Sequence, residues 1–571
     1  MAKNFNAWPK GWPKSLNYPE VPVYQFLKQT AERIPNRIAM VFGGMELTYS
    51  EFKILADRFA GALIDLGVKK GDRVVIHSIN CPQFAIAYYG LLKIGAIYSP
   101  LSPLSSTREA SYQLNDCGAE TLISLDLFYP SISSIIPETP VKRVITTSVA
   151  DTFSPVLSPL KPLEKTPIPD TFDLVDLLKK YEPLTEDIDI NPKKDLAHIA
   201  YTGGTTGLPK GVMISHFNAV VNVLQFACWP NGAQVEMQDG NIKLVYPPGI
   251  DPKTDLLVPP DEGISMVAVP WFHAMGTIGY LNGPVLGGAT MVVLPRFDTK
   301  EYLDSIVKYK ATSIGGAPQL FIPLLNHPDF DSYDLSSVKS AGSGAAPLAT
   351  PILEKMLNTF PGVVVEAYGL TEVTMGVTSN PWNREAIRQG SIGLPIFDTE
   401  IKVVDIATGE DLPPGSEGEL CVKGPQIMIG YWNKPEETAA TVKEGWLYTG
   451  DICREDKDGF FYITDRKKDM IIYKGYNVYP RELENVIFEH PAVSQCAVVG
   501  KPDTTAGELP IAFVELKQGE TTTKEDIIEH TNSKVAAYKK LRDVIFVDQV
   551  PVSAAGKILK RQLREQLKGG D

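Results

Sequence analysis

The segment YTGGTTGLPKG at residues 201–211 gathers groups that handle phosphate. Gly203, Gly204 and Gly207 let backbone N–H groups turn inward as an anion nest, Thr202, Thr205 and Thr206 add hydroxyl donors, and Lys210 adds a mobile positive charge. The set suits a polyphosphate, and a Gly/Thr-rich surface turn has the same composition. It is not a Walker A loop, because Lys210 sits between Pro209 and Gly211, where that motif needs Gly before the lysine and Ser or Thr after it. GSGAAP at 342–347 lacks the third glycine of a dinucleotide fingerprint, and neither G-x-S-x-G nor H-E-x-x-H occurs, which argues against hydride transfer, serine hydrolysis and zinc proteolysis. Cys81, Cys117, Cys228, Cys421, Cys453 and Cys496 are too far apart for a metal knuckle or redox motif and read as reduced packing thiols of a cytoplasmic protein.

The elements that must position these groups follow an α/β grammar. A helix capped by Ser50 is expected through EFKILADRFAGALIDLG, then a strand at 73–79, a helix through FAIAYYGLLKIG, an apolar run near Ile97, a helix at REASYQLNDCG and a strand TLISL. The alternation resumes at 265–270 and runs to VVVEAYG at 363–369. Such alternation implies largely parallel sheets covered by helices, with ligand crevices at the C-terminal ends of the strands. Residues 130–192 hold ten prolines and read as a loop-rich connection, and 231–263 as an irregular insertion. After residue 397, short strands and turns suggest a small β-rich subdomain, and from Asp465 a compact α+β unit follows, with a long helix expected over 525–541. The fold class is therefore α/β: a large N-terminal region of two sheet lobes plus a β-rich subdomain, residues 1–464, and a mobile α+β domain, residues 465–571.

A chain of 571 residues exceeds what one hydrophobic core supports, and 44% hydrophobic with 22% charged residues is ordinary globular usage. The net charge of −13 disfavours nonspecific nucleic-acid binding. Residues 465–571 carry 17 basic and 16 acidic side chains, so the acidity lies in the body and the tail is nearly neutral. No targeting signal is visible at the N-terminus, and the apolar stretch at 264–295, broken by His273, Asn282, prolines and glycines, reads as buried core rather than a transmembrane segment. Peripheral membrane contact and a monomeric or homodimeric state are both compatible with this composition.

Taken in order, YTGGTTGLPKG, PWFHAMG (270–276), GSGAAPL (342–348), YGLTE (368–372), GELCVKGP (418–425), YTGD (448–451), DRKKDMIIYKGYNVYPRELE (465–484) and PVSAAGKILKRQL (551–563) resemble the adenylate-forming superfamily of acyl-CoA synthetases, luciferases and peptide-synthetase adenylation domains. The resemblance covers nearly the whole chain. It implies an acid–thiol ligase that makes an acyl-adenylate and pyrophosphate from ATP and then passes the acyl group to a thiol, with catalysis by position and electrostatics.

Carried over residue by residue, Thr202, Gly203, Gly204, Thr205, Thr206, Gly207 and Lys210 hold the β- and γ-phosphates, and Glu372 with Thr202 holds Mg²⁺. Gly344, Ala345, Ala346, Glu366, Ala367, Tyr368, Gly369 and Thr371 line the adenine slot, Asp451 accepts the ribose hydroxyls, and Arg466 binds nearby. Lys557 bridges carboxylate and α-phosphate in the transition state, and His273 gates or orients the carboxylate. Lys468 stands at a hinge about which the C-terminal domain rotates, bringing Lys474 and Gly475 to the pantetheine tunnel. The oxidative lysine of beetle luciferases falls at Ile472, which argues against light production.

His273 stands where amino-acid-activating relatives carry an aspartate, which argues against an α-amino acid, and the chain ends soon after Lys557, which favours free coenzyme A as acceptor. Residues 99–123 look most like medium- and long-chain fatty-acid ligases. The expected pocket comprises Trp271, His273, Gly276, Tyr280, Gly315, Gly316, Ala345, Met375 and Gly376. The leading expectation is a medium- or long-chain fatty acid; the alternatives are an aryl, hydroxy or short-chain acid and, from another class, a nonenzymatic acyl or nucleotide sensor.

Overall fold

A computed structural model describes residues 7–151, 165, 167–202, 208–346, 348, 350–474, 476–553 and 557–568. The N-terminal region holds two large mixed sheets. In the eight-stranded sheet Ile97–Leu101, Arg73–His77, Thr121–Leu125 and Arg143–Thr147 run parallel, and Leu196–Tyr201 continues the sheet into an antiparallel pair with Gly211–Ser215. In the nine-stranded sheet Thr290–Val293, Ile264–Val267, Ser313–Gly316, Ser340–Ser343 and Val363–Tyr368 lie side by side and parallel. Strand residues alternate between the two faces. Val267, Met291 and Val293 join one apolar cluster while Met266, Val292 and Ile314 join a second, so both faces of this sheet are buried.

An antiparallel sheet of Glu400–Val404, Glu417–Lys423, Trp446–Glu455 and Phe461–Arg466 forms the β-rich subdomain. The C-terminal unit wraps Pro480–Phe488 and Lys524–Asn532 around a sheet centred on the Val493–Asp503 and Gly507–Leu516 pair.

Several local expectations are corrected. The first long helix, Tyr49–Asp65, is capped by Thr48 rather than Ser50, because Thr48 and Glu51 form a reciprocal capping box and Ser50 would have Lys53 in the glutamate's place. The proline-rich connection contains a true sheet strand, Arg143–Thr147, and the insertion after residue 231 contains the hairpin Gln234–Gln238 with Asn241–Val245. The single helix expected over 525–541 stops at Asn532, whose side chain accepts from the Leu541 N–H and donates to the Leu541 carbonyl, closing a loop where the helix would have continued. The helical stretch after His273 is a π-helix, Met275–Asn282.

Candidate active site

The site lies where parallel strands end and loops begin, as open α/β sheets require. Thr202 follows Leu196–Tyr201, and its N–H donates to the Lys210 carbonyl at 3.0 Å, so Thr202 and Lys210 pin together the two ends of the segment that the sequence nominates for phosphate. Gly203, Gly204, Thr205, Thr206 and Gly207 lie outside the described residues. Glu372 sits in a 3₁₀ turn, Thr371–Val373, after Val363–Tyr368. Tyr431, which the sequence reading missed, ties these parts together. Its hydroxyl donates to Glu372 Oε1 at 2.8 Å, and the Lys210 ammonium lies 4.0 Å from its ring centroid. Tyr431 belongs to a two-residue strand paired with Val212, next to the phosphate loop. So short an element has no periodicity to detect; its only signal is an isolated Gly-Tyr after GELCVKGP.

Asp451 is buried, receives the Tyr368 hydroxyl on Oδ2 and pairs with Arg466 Nε at 3.0 Å. Antiparallel register places Asp451 opposite Arg466. Gly344 donates to the Gly316 carbonyl at 3.1 Å, and Ala345 holds φ +65°, a left-handed conformation uncommon for a residue with a side chain. Ala346 follows directly. Across this turn stand Ala367, Tyr368 and Gly369, and a side chain at Gly369 would overlap the Met375 carbonyl. Glu366 is buried beneath them, and burial raises its carboxyl to about 7 against the opposing pull of Arg481.

Lys557 is held by the adjoining Val552–Ile558 bridge, by its own N–H donating to Ser553 Oγ and by the Ser553 N–H donating to its carbonyl at 2.7 Å. Its charged neighbours are Arg466, Asp451, Glu372 and Lys468, and burial, reinforced by Arg466, lowers its ammonium to about 8. Lys557 in turn assists burial in lowering His273 to about 3, so His273 is neutral at physiological pH. Lys468 lies in the turn after Phe461–Arg466, and burial lowers its ammonium. Lys474 is not brought to this cluster. It occupies an exposed hairpin between Ile471–Tyr473 and Tyr476–Val478, and Gly475 is outside the described residues.

The segment nominated from the sequence for the acid is built on PWFH. Asn80 accepts from the Trp271 N–H at 2.7 Å and donates to the Val269 carbonyl at 2.8 Å, fixing this turn against the other sheet. A side chain at Gly276 would overlap the Pro270 carbonyl, so glycine permits the close return of the chain. Trp271 Nε1 donates to the Tyr280 carbonyl at 3.1 Å. Gly315 and Met375 border this segment, Gly315 meeting Tyr280 and Met375 meeting Gly279, whereas Gly316 meets Leu320 and Gly376 meets Phe226.

The pattern of the AMP-binding enzyme family matches residues 27–432, and that of the AMP-binding enzyme C-terminal domain matches 482–557. The chain belongs to this family of adenylate-forming acyl-CoA ligases. A long-chain-fatty-acid–CoA ligase of Bacillus subtilis (strain 168) is 38% identical over 571 aligned positions, covering 98% of this chain and 97% of that protein. The 4-coumarate–CoA ligase 1 of Solanum tuberosum is 31% identical, covering 96% and 94%. The crystal structure of the anthranilate CoA ligase AuaEII with anthranoyl-AMP aligns with a TM-score of 0.84 at 26% identity, covering 96% and 98%. The chain is thus an AMP-forming acid–thiol ligase, taking an acid, ATP and CoA to an acyl-adenylate and an acyl-CoA. Among the described residues, no helix is long and apolar enough to cross a membrane.

Proposed function

We propose that this ligase activates an aryl, hydroxy or short-chain carboxylic acid. The observation that carries the reading is the crowding of the acyl side: Tyr280 occupies the space over Gly315, Met375 that over Gly279 and Phe226 that over Gly376. Side chains pressed against three glycines leave little room for an extended tail, and the names of the anthranilate and 4-coumarate relatives agree with a compact acid. A medium- or long-chain fatty acid is the second reading, favoured by the Bacillus subtilis relative's name. Lys210, Glu372, Asp451 and Lys557 are all present, which argues against a nonenzymatic sensor.

In this reading Lys210 and the phosphate loop orient the polyphosphate, and Asp451 accepts the ribose hydroxyls. Glu372 fits a hard cation. It offers a carboxylate with one oxygen held by Tyr431 and, among the described residues, no cation within ion-pair distance, so with Thr202 it would hold Mg²⁺. That ion, when bound, would neutralise phosphate charge. Lys557 offsets the charge that grows between carboxylate and α-phosphate, and neutral His273 orients the carboxylate without competing for its charge. The C-terminal domain then turns about Lys468, withdrawing Lys557 and presenting the Lys474 hairpin to CoA.

The test is pyrophosphate release and thioester formation with ATP, Mg²⁺ and CoA across acetate, hexanoate, palmitate, benzoate and hydroxybenzoate. Highest kcat/KM with a compact acid is expected. Preference for palmitate would support the second reading, and no release with any acid would contradict both.

A further inference from the structure

We propose that Arg481 is a positioning residue that latches the C-terminal unit, and with it Lys557, in the arrangement that makes the adenylate. The proposal rests on the reading above in which that unit turns about Lys468, and it adds the contact that holds the first of the two arrangements.

The anchoring of the chain changes sides at Lys468. Before it, the Lys467 N–H donates to the Gly450 carbonyl at 2.9 Å and the Lys467 ammonium pairs with Glu419 at 3.0 Å, both in the β-rich subdomain. After it, Asp469 pairs with Arg564 of the terminal helix Lys560–Lys568 at 2.6 Å. Arg481 crosses this boundary. It lies in the first turn of the helix Pro480–Phe488, whose N-cap residue Tyr479 makes no side-chain capping bond. The Arg481 N–H, one of those that a helix leaves without an internal partner, donates instead to Asp465 Oδ2 at 3.1 Å. The cap therefore comes from the strand Phe461–Arg466, on the other side of Lys468. The guanidinium reaches the same strand and donates through Nη1 to the Ile463 carbonyl. That strand is fixed to the body by its pairing with Trp446–Glu455, which carries Asp451. A third body element takes part through its charge: burial raises the Glu366 carboxyl, and Arg481 opposes that rise.

The same helix is tied to the C-terminal unit one turn later. Glu484 Oε1 accepts from the Val498 N–H at 2.8 Å and pairs with Lys560 at 2.7 Å, and Lys560 stands three residues after Lys557. The helix is thus a strut, with Arg481 fastened to the body and Glu484 fastened to the segment that carries Lys557. Turning about Lys468 carries the strut away from Asp465 and Ile463, which breaks both Arg481 bonds and leaves the helix without its cap. The ion pairs Lys560 to Glu484, Arg564 to Asp469 and Lys539 to Glu482 lie wholly on the C-terminal side and survive the turn. Losing the Arg481 side chain therefore depopulates the adenylate-forming arrangement without unmaking the unit itself.

The test uses the full chain and measures two half-reactions separately, pyrophosphate release without CoA and thioester formation from supplied acyl-adenylate, for the wild type, Arg481→Met, Arg481→Lys and Lys557→Ala. Arg481→Met keeps the apolar stem and loses the charged donor. It should form adenylate on the order of tenfold more slowly and convert supplied acyl-adenylate at the wild-type rate or faster. Arg481→Lys, which keeps a charged donor, should recover most of that loss. Trypsin should cut Arg481→Met after Lys467 and Lys468 severalfold faster than the wild type, with cutting elsewhere unchanged. Adenylate formation at the wild-type rate, or equal loss in both half-reactions, would overturn the proposal. Where Arg481→Met does not fold, Arg481→Gln serves and should show the same separation with a smaller loss. Lys557→Ala keeps the two readings apart. If it impairs both half-reactions alike, the two-arrangement reading itself fails; if it impairs adenylate formation alone while Arg481→Met impairs both or neither, Arg481 is not the latch.

Discussion

Tyr431 joins the Glu372 carboxylate to the Lys210 ammonium through one side chain, so its loss should disturb the phosphate side without touching the acid. A hydrogen bond to a charged group contributes about 1.5–3 kcal/mol. Tyr431→Phe is accordingly expected to lower kcat/KM for ATP by on the order of tenfold while leaving KM for the acid nearly unchanged, read by pyrophosphate release. Lys557 makes a second prediction at this scale. Held down to about 8, it is charged below that pH and loses its charge as pH rises through it. The kcat/KM for ATP should fall above about pH 8, and Lys557→Arg, which stays charged, should lack that limb. The glycines, threonines and lysine of the phosphate loop announce phosphate chemistry in the sequence through their own properties. Tyr431 does not, because its role depends on a cross-strand neighbour more than two hundred residues away.

At the scale of elements, Lys557 owes its position to the helix Lys560–Lys568, which is tied down by two ion pairs, Lys560 to Glu484 at 2.7 Å and Arg564 to Asp469 at 2.6 Å. Asp469→Ala should loosen this helix and slow adenylate formation severalfold, while thioester formation from supplied acyl-adenylate is preserved; equal loss in both half-reactions would show a general folding defect. The sheets and their helices were legible because hydrophobic periodicity is local. The break of the 525–541 helix was hidden because Asn532 and Leu541 meet only in three dimensions, and Arg143–Thr147 because a five-residue strand among prolines carries little pattern. The π-helix has the same sequence signature as an α-helix, since its difference lies in hydrogen-bond spacing that composition does not encode.

At the scale of the whole molecule, burial sets the response to acid. His77, His198, His216 and His273 are pushed down from 6.5 to about 4, 3, 4 and 3. Between about pH 6 and 4 the unfolded chain binds protons at these four sites that the fold refuses. Glu366, raised to about 7, and Asp465, raised to about 6, act in the opposite sense, since there the fold holds protons that the unfolded chain releases. The histidines outnumber the two raised acids, and carboxylates held below their usual range such as Asp195 and Asp469 act with the histidines, so stability is expected to fall as the solution is acidified through this window, measurable by denaturant titration at each pH. An acidic chain can still handle polyanions because the charges that decide binding are local: Lys210, Arg466 and Lys557 gather about Glu372 while the net acidity is spread over residues 1–464. The claim that Lys557, delivered by the C-terminal domain, serves the first half-reaction is tested most directly by Lys557→Ala with the two half-reactions measured separately. Adenylate formation should fall by about 10²-fold or more, while thioester formation from supplied acyl-adenylate stays near wild type; comparable loss in both would contradict the account.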